Sequence, residues 1–264
     1  MKCGHFLRAL FPNLLVIGFA IGLGVTSLFF CLPPIIKNSS GFFHICLILL
    51  WIIILFLFCM WFWCWCYAVF TDPGRTEDDL KRRGILHQVK QGDIPFCLRS
   101  LPICAKCGLP KPATAHHCST CGACHLRMDH HCGVTGQCVA DKNFKSFILN
   151  FFYASIYGIF MFISGIITVF KIDNYRVIAV VLMIYSLIIG IALGIFGYTF
   201  FKDARSGVGT LDKIAGKSFT STLSFQKFIL SFGNNWFERL IPIQKKTTFL
   251  AWPGVSWDDD YEYL

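Results

Sequence analysis

The sequence predicts an all-α membrane protein with four transmembrane helices and a cytosolic cysteine-rich domain between the second and the third. Three observations predict this class. Of the 264 residues, 55% are hydrophobic and 15% are charged, against about 25% charged in soluble domains. Four apolar stretches are long enough to cross a hydrocarbon layer of ~30 Å at ~1.5 Å per helical residue. Between the second and third stretches, residues 104–138 hold seven cysteines and five histidines.

The four predicted spans are similar in length and almost free of charge: Leu10 to Leu32, Phe42 to Phe70, Phe147 to Phe170 and Val177 to Phe201. We interpret the first as a membrane helix rather than a secretory signal. Its apolar run is longer than a signal core, and no small-residue cleavage site follows it. An even number of spans places both termini on the same side of the membrane.

The distribution of positive charge predicts the orientation. Of the 24 Lys and Arg residues, eleven lie between spans two and three and eight follow span four, whereas the other two loops hold one and two. Short loops with little positive charge are the ones translocated, so the long loop and both termini are predicted to be cytosolic. The same distribution accounts for most of the net charge of +9, so membrane lipid is an expected partner and nucleic acid is not.

These spans divide the chain into four predicted segments. Residues 1–70 comprise the N-terminus and the first two helices, 71–145 the cytosolic loop with its core at 104–138, 146–201 the last two helices, and 202–264 the cytosolic tail. Apolar residues near helical spacing in the tail predict an amphipathic helix that lies on the membrane or packs against the other helices: Phe225, Phe228, Ile229, Phe232 and Trp236.

The cysteine-rich block has the spacing of a metal-binding domain. Disulfides are disfavoured in a cytosolic loop, whereas two cysteines separated by two residues reach one Zn²⁺ from a tight turn. Three overlapping pairs have this spacing: Cys104/Cys107, Cys118/Cys121 and Cys121/Cys124. Two closed sites of three Cys and one His would use six of the seven cysteines. If the remaining one is Cys132, it follows Asp129 and His130, an arrangement suited to nucleophilic catalysis.

The same residues carry a resemblance to a known family. The motifs Cys104-x2-Cys107, Lys111-Pro112, His117-Cys118-x2-Cys121-x2-Cys124, Asp129-His130-His131-Cys132 and Cys138 resemble the cysteine-rich domain of the DHHC protein S-acyltransferases, also called palmitoyltransferases. That family has four spans with this block between the second and third, and Asp72-Pro73-Gly74 stands where its Asp-Pro-Gly motif follows span two. The resemblance implies two interleaved structural zinc ions, one on Cys104, Cys107, His117 and Cys124, the other on Cys118, Cys121, His131 and Cys138. It leaves His116 and His125 as expected surface residues.

The resemblance also implies a reaction. Cys132 would accept a long acyl chain such as palmitoyl from acyl-coenzyme A and pass it to a cysteine of a substrate protein, with ping-pong kinetics. His130 would serve as the base, and Asp129 would orient its ring. Expected partners are substrate proteins with membrane-proximal cysteines, and an accessory subunit is a further candidate. The expected location is the endoplasmic reticulum, the Golgi or the plasma membrane, with the active site in the cytosol.

Two further sets of residues are candidates for binding the acyl donor. Basic residues of the loop are candidates for the phosphates of coenzyme A: Lys106, Lys111, Arg127, Lys142 and Lys145. Tyr157 lies about 15 Å into the third span by helical rise, and we predict that it closes the deep end of an acyl cavity together with Ser27. The alternative for Tyr157 is an ordinary interhelical hydrogen bond.

The chain departs from the family pattern after Cys132. Gly133 to Gln137 stand in place of the usual Pro-Trp-Val-Asn-Asn, and the missing Trp removes a bulky wall near the sulfur, which predicts a slower or differently selective enzyme. Gly209-Thr210-Leu211-Asp212 is a partial version of the family's Thr-Thr-x-Glu.

Two other functions compete: a zinc-braced membrane scaffold without catalysis, and a ubiquitin ligase with a RING-like site. A spare cysteine beside His130 favours the enzyme.

Overall fold

The computed structural model describes residues 22, 24–171, 176–206, 209–214, 216, 232–243, 252, 255 and 257, without the side chains of Thr26 and Ser27. The chain divides into two compact units. The span unit comprises the described residues of Leu10–Cys66 and Ile148–Phe201. The loop unit comprises Tyr67–Phe147 and the described residues from Lys202 onward.

Three helices in the described part of the chain are long and apolar enough to cross a membrane, in agreement with a membrane protein. A π-helical turn, Thr26–Cys31, leads into a short helix α1, Leu32–Lys37. The three long helices are α2 (Gly41–Phe70), α5 (Phe144–Lys171) and α6 (Arg176–Ser206). The predicted first span falls mostly outside the described residues, so a fourth membrane helix stays a prediction.

Small residues let α5 and α6 approach closely. A Cβ atom added to Gly158 of α5 would lie 2.8 Å from the carbonyl oxygen of Ser186, and one added to Gly197 of α6 would lie 2.8 Å from Cβ of Phe151. Helices in a membrane gain stability from such close packing, because lipid provides no hydrophobic drive for association. The glycines therefore determine where these two helices touch.

The loop unit contains two hairpins that the all-α prediction missed. After the short helices α3 (Thr76–Arg82) and α4 (Leu86–Lys90) and a 3₁₀ turn at Phe96–Leu98, four three-residue strands follow: β1 (His116–Cys118), β2 (Ala123–His125), β3 (His130–Cys132) and β4 (Gln137–Val139). They pair antiparallel as β1–β2 and β3–β4. Strands of three residues are too short to show the alternating pattern by which a strand is recognised.

The tail supplies part of the core of the loop unit. Trp252 is fully buried among apolar residues that include Leu80, Leu98 and Leu126. Its indole Nε1 donates to Oδ2 of Asp79 in α3 at 2.7 Å. The loop therefore does not fold around its own apolar residues alone.

Two further helices of the tail are short: α7 (Thr210–Ile214) and α8 (Trp236–Leu240). The predicted amphipathic helix lies outside the described residues from Phe225 to Ile229. At its expected end Phe232 is 2% exposed but Trp236 is 73% exposed, and a new helix starts at Trp236 with Asn235 as its N-cap. One continuous apolar face through Trp236 is therefore wrong.

Candidate active site and metal centres

Two identical turns present the first cysteines of each metal cluster. Cys104 and Cys118 each begin a Cys-x2-Cys-Gly sequence, and the glycines, Gly108 and Gly122, both have φ +66°. In each turn the glycine N–H donates to the carbonyl oxygen of the first cysteine at 2.8 Å. A left-handed residue at this point suits glycine, which has no Cβ to clash. The turn places the two sulfurs of each Cys-x2-Cys pair on the same side of the turn, where both can reach one metal ion.

The hairpins supply the other two ligands of each cluster. The register places His117 opposite Cys124 in β1–β2 and His131 opposite Cys138 in β3–β4. The structure thus gathers eight side chains into two sets of four, each with its ligand atoms within 4.8 Å of one another. The sets are Cys104, Cys107, His117 and Cys124, and Cys118, Cys121, His131 and Cys138. They coincide with the sets implied by the family resemblance.

The spacing of these atoms fits tetrahedral zinc. With Zn–S near 2.3 Å and Zn–N near 2.0 Å, a tetrahedron places two sulfurs about 3.8 Å apart and a sulfur and a nitrogen about 3.5 Å apart. The observed separations run from 3.4 to 3.8 Å in the first cluster and from 3.4 to 3.7 Å in the second. These distances are far above a disulfide bond of ~2.05 Å, and no disulfide joins any of the described cysteines.

Charge around the clusters is also suited to a metal. Burial, followed by the positive charge of Lys106, lowers the pKa of His117, which favours the neutral ring that binds a cation. Contact between the sulfurs of Cys121 and Cys138 lowers the pKa of Cys121 to about 3 and raises that of Cys138. One proton shared between two close sulfurs is readily displaced by a dication.

Of the seven cysteines in residues 104–138, Cys132 is the one that belongs to neither cluster. It ends strand β3, half-buried, two residues after His130. The ring of His130 is hydrogen-bonded through Nδ1 to Oδ2 of Asp129 at 2.8 Å, and it lies close enough to the side chain of Cys132 for each group to shift the pKa of the other. Because Nδ1 is engaged by the carboxylate, Nε2 is the nitrogen left for the sulfur. The imidazole of His130 therefore stands between the carboxylate of Asp129 and the thiol of Cys132, as the base does in a catalytic triad.

The local environment favours charge separation between sulfur and imidazole. Burial alone would raise the pKa of the Cys132 thiol, but hydrogen bonds from His130 and from the backbone and hydroxyl of Thr135 lower it to about 7. Burial would lower the pKa of His130, but the hydrogen bonds to Asp129 and Cys132 raise it to about 9. Each group therefore stabilises the ionised form of the other.

Asp129 is held by a segment far away in the chain. Its carboxylate accepts from the backbone N–H of Thr210 at 2.8 Å and from the Thr210 hydroxyl at 2.9 Å. Together with His130, these donors surround a side chain that is only 2% exposed. In the same segment, Asp212 accepts from Nε2 of His116 at 3.1 Å. The partial Thr-Thr-x-Glu segment was the sequence signal for these residues, but its contacts could not be located from sequence.

Two histidines differ from expectation. His125 was predicted at the surface but is 1% exposed, because its backbone forms a bridge with Arg75, at the start of α3. His116 is half-buried rather than free at the surface, since it is paired with Asp212. Neither ring is among the metal-ligand sets in the described residues.

The five basic candidates for coenzyme A are not equivalent. Lys106 is exposed, and Lys111 and Lys142 are half-buried. Arg127 donates to the buried Asp141 at 3.0 Å, so its guanidinium is partly engaged within the fold. Lys145 is 2% exposed and its ammonium donates to the carbonyl oxygens of residues 238 and 243 at 2.5 and 3.0 Å. For Lys145 the phosphate assignment is wrong, because its donors are buried against backbone carbonyls.

Tyr157 is buried within the span unit. It is 6% exposed, packs against Phe58 with ring centroids 6.0 Å apart, and its hydroxyl would be 2.8 Å from a Cβ atom added to Gly24. Among the described residues the hydroxyl has no hydrogen-bond partner. The Ser27 side chain, proposed beside it, lies outside the described residues.

A comparison with protein families identifies the domain that contains both clusters. The family model described as DHHC palmitoyltransferase matches residues 99–217. No curated protein matches the chain. The matched region includes the eight cluster residues, Asp129, His130, Cys132 and Thr210. The part of the chain that holds both clusters and Cys132 is therefore similar to the DHHC palmitoyltransferase domain.

Proposed function

We propose that this protein is a protein S-acyltransferase, which moves a long-chain acyl group such as palmitoyl from acyl-coenzyme A to cysteines of substrate proteins. The observation that supports this most strongly is the position of Cys132. Six neighbouring cysteines are gathered into four-ligand sets, whereas Cys132 lies outside both sets and two residues after His130, whose ring is held by Asp129. A scaffold has no need of a cysteine activated in this way.

In the first step, Nε2 of His130 takes the proton of Cys132, and the thiolate attacks the carbonyl carbon of the acyl thioester. The bond from that carbon to the sulfur of coenzyme A breaks. The leaving thiolate takes the proton back from the imidazolium, and the acyl group stays on Cys132 as a new thioester. Asp129 keeps the proton of Nδ1 in place and stabilises the imidazolium while it exists.

The second step repeats this chemistry with a protein thiol. The substrate cysteine gives its proton to His130 and attacks the acyl carbon, the bond to Cys132 breaks, and Cys132 recovers the proton. The free energy of the thioester is conserved in each exchange, so no other reactant is required. Coenzyme A leaves before the second thiol reacts, which is the basis of ping-pong kinetics.

The two clusters are proposed to hold structural zinc. A bound Zn²⁺ would cross-link the two hairpins to the cysteine turns, and closed four-ligand sites leave no position for a substrate. Three thiolates and one neutral histidine give each site a charge of about −1, so the zinc sites add no positive field at Cys132. Activation of the sulfur is therefore the task of His130 and Asp129.

The membrane is proposed to shelter the acyl chain. Each methylene exposed to water costs about 0.8 kcal/mol, so a long chain would partition among the spans rather than lie in solvent. Tyr157, with Ser27, remains our candidate for the deep end of that cavity, and Lys106, Lys111 and Lys142 remain candidates for the coenzyme A phosphates. We place the active site and both termini in the cytosol of the endomembrane system or plasma membrane.

The test is direct acylation of the purified full-length protein. Zinc-replete protein is incubated with labelled palmitoyl-coenzyme A, and hydroxylamine-labile label is measured. We expect label on the wild type, none on Cys132→Ser, and full label on Cys97→Ser, a half-buried cysteine of the same loop outside both clusters. A wild type that stays unlabelled with two zinc ions bound, with an accessory subunit also tried, would instead support the scaffold function.

A further inference from the structure

Gln137 connects the strand opposite Cys132 to the end of membrane helix α2. It begins strand β4, where the hairpin register pairs it with Cys132. Its Nε2 donates to the carbonyl oxygens of Ala68, Val69 and Thr71, each at 2.9 Å. The side chain is buried, with Gln137 only 8% exposed. A single amide nitrogen therefore lies within hydrogen-bond distance of three carbonyl oxygens at the point where α2 ends.

The end of α2 needs such a donor from elsewhere in the chain. The last four carbonyls of a helix have no partner within the helix, and leaving them unpaired near an apolar layer is costly. The last turn of α2 contains no basic side chain, and no glycine follows Phe70 until Gly74. Neither of the common local forms of C-terminal capping is thus provided.

A second amide supports the same junction. Nδ2 of Asn143 donates to the carbonyl oxygens of Ala68 and Cys138 at 3.2 and 3.0 Å, and its Oδ1 accepts from the N–H of Ala140 at 2.8 Å. An amide group has two N–H hydrogens, so Gln137 alone cannot give each of its three carbonyls a separate hydrogen. The amides of Gln137 and Asn143 together provide the hydrogen-bond donors for the carbonyl oxygens at the end of α2.

The hairpin that carries Cys132 is therefore held on two sides. On one side His131 and Cys138 belong to the second metal cluster. On the other side Gln137 is bound to the helix end. The turn between them is tight, since Gly136 has φ +68° and its N–H donates to the carbonyl oxygen of Cys132 at 2.9 Å. Without Gln137, the strand β4 would keep its link to the end of α2 only through Asn143, so the hairpin would be less firmly held there.

We propose that Gln137 is a positioning residue for acyl transfer, which caps the end of α2 and thereby holds the backbone of Cys132 at a fixed place beside that helix end. This inference rests on the proposed function. It gives the segment after Cys132 a definite purpose, although Gly133 to Gln137 depart from the usual family sequence. Where that sequence has asparagine before the last ligand, this chain has glutamine and so keeps an amide, one methylene longer.

The test compares two substitutions of similar size in the full-length protein. Gln137→Met keeps the shape and removes the donor, and Gln137→Glu turns a carboxylate toward three carbonyl oxygens. A misplacement of about 1 Å costs up to about 100-fold in rate. We expect the rate constant for acylation of Cys132 at saturating palmitoyl-coenzyme A to fall about 10- to 100-fold, more for Glu than for Met. The half-saturating concentration should change much less. Gln91→Met, at an exposed turn residue, is the control.

Two further measurements separate positioning from general stability and from the proposed function. Zinc content should remain that of the wild type, and backbone amide exchange should become faster in residues 130–139 but not in the hairpin at 116–125. Wild-type acylation by zinc-loaded Gln137→Met would overturn the inference, as would unchanged exchange at 130–139. If the wild type itself fails to acylate, the proposed function fails, and the exchange experiment still decides whether Gln137 holds the hairpin.

Discussion

Replacement of Thr210 tests how the carboxylate of Asp129 is held beside His130. Replacing it with valine keeps the shape of the side chain and removes the hydroxyl, so Asp129 loses the bond at 2.9 Å but keeps the backbone bond at 2.8 Å. A hydrogen bond to a charged group contributes about 1.5–3 kcal/mol. Asp129 is 2% exposed, so water does not readily replace the lost donor.

The expected change in acylation rate depends on how much of this hydrogen-bond energy stabilises the transition state. If the bond keeps Asp129 aligned with His130 in the transition state, its loss raises the barrier by the same amount. At about 1.4 kcal/mol per factor of ten, acylation of Cys132 in Thr210→Val should be about 10- to 100-fold slower. The apparent affinity for acyl-coenzyme A should stay nearly constant, because Thr210 contacts the carboxylate that orients the base.

The assay is single-turnover labelling of Cys132 with palmitoyl-coenzyme A, with zinc content measured on the same sample. Thr199→Val is the matched control, because the Thr199 hydroxyl is exposed and donates to the carbonyl oxygen of Phe196 in its own helix. A Thr210→Val rate within twofold of the wild type would refute the role assigned to this bond. Loss of zinc from the variant would show that Thr210 acts on folding instead.

Three other predictions concern the loop and span units. Trp252→Ala should lower the free energy of unfolding by about 3–5 kcal/mol, because it opens a cavity and removes the donor to Asp79; Trp236→Ala, at a 73% exposed position, should change the denaturation midpoint little. Cys124→Ala should retain one zinc of two by metal analysis, since Cys124 belongs to only the first cluster, and retention of both ions would contradict the assignment. Gly190→Val should destabilise the contact between α5 and α6, because even a Cβ atom added at this position would lie 3.2 Å from the carbonyl oxygen of Ser155; unchanged thermal stability of the purified protein would argue against close packing.

Much of the candidate site could be predicted because its residues lie close together in the sequence, at spacings typical of metal ligands. A Cys-x2-Cys-Gly turn needs only five residues to present two sulfurs. Each hairpin needs only two three-residue strands and the turn between them to bring a histidine opposite a cysteine. Counting ligands then leaves one cysteine over, and the family resemblance implies that this cysteine is Cys132. Apolar stretches predict membrane helices for a similar reason, since length and composition are properties of one continuous segment.

Contacts between distant segments were decided by the tertiary structure. Thr210 meets Asp129 across 81 positions, Lys145 meets the carbonyl of residue 238 across 93, and Trp252 meets Asp79 across 173. Nothing in the local pattern of these residues distinguishes a lysine that binds phosphate from one buried against carbonyls. The sequence by itself determined the membrane class, the metal-binding spacing and the candidate nucleophile. Only the folded chain decided which groups surround that nucleophile, because hydrogen bonds depend on distances in space that separation along the chain does not set.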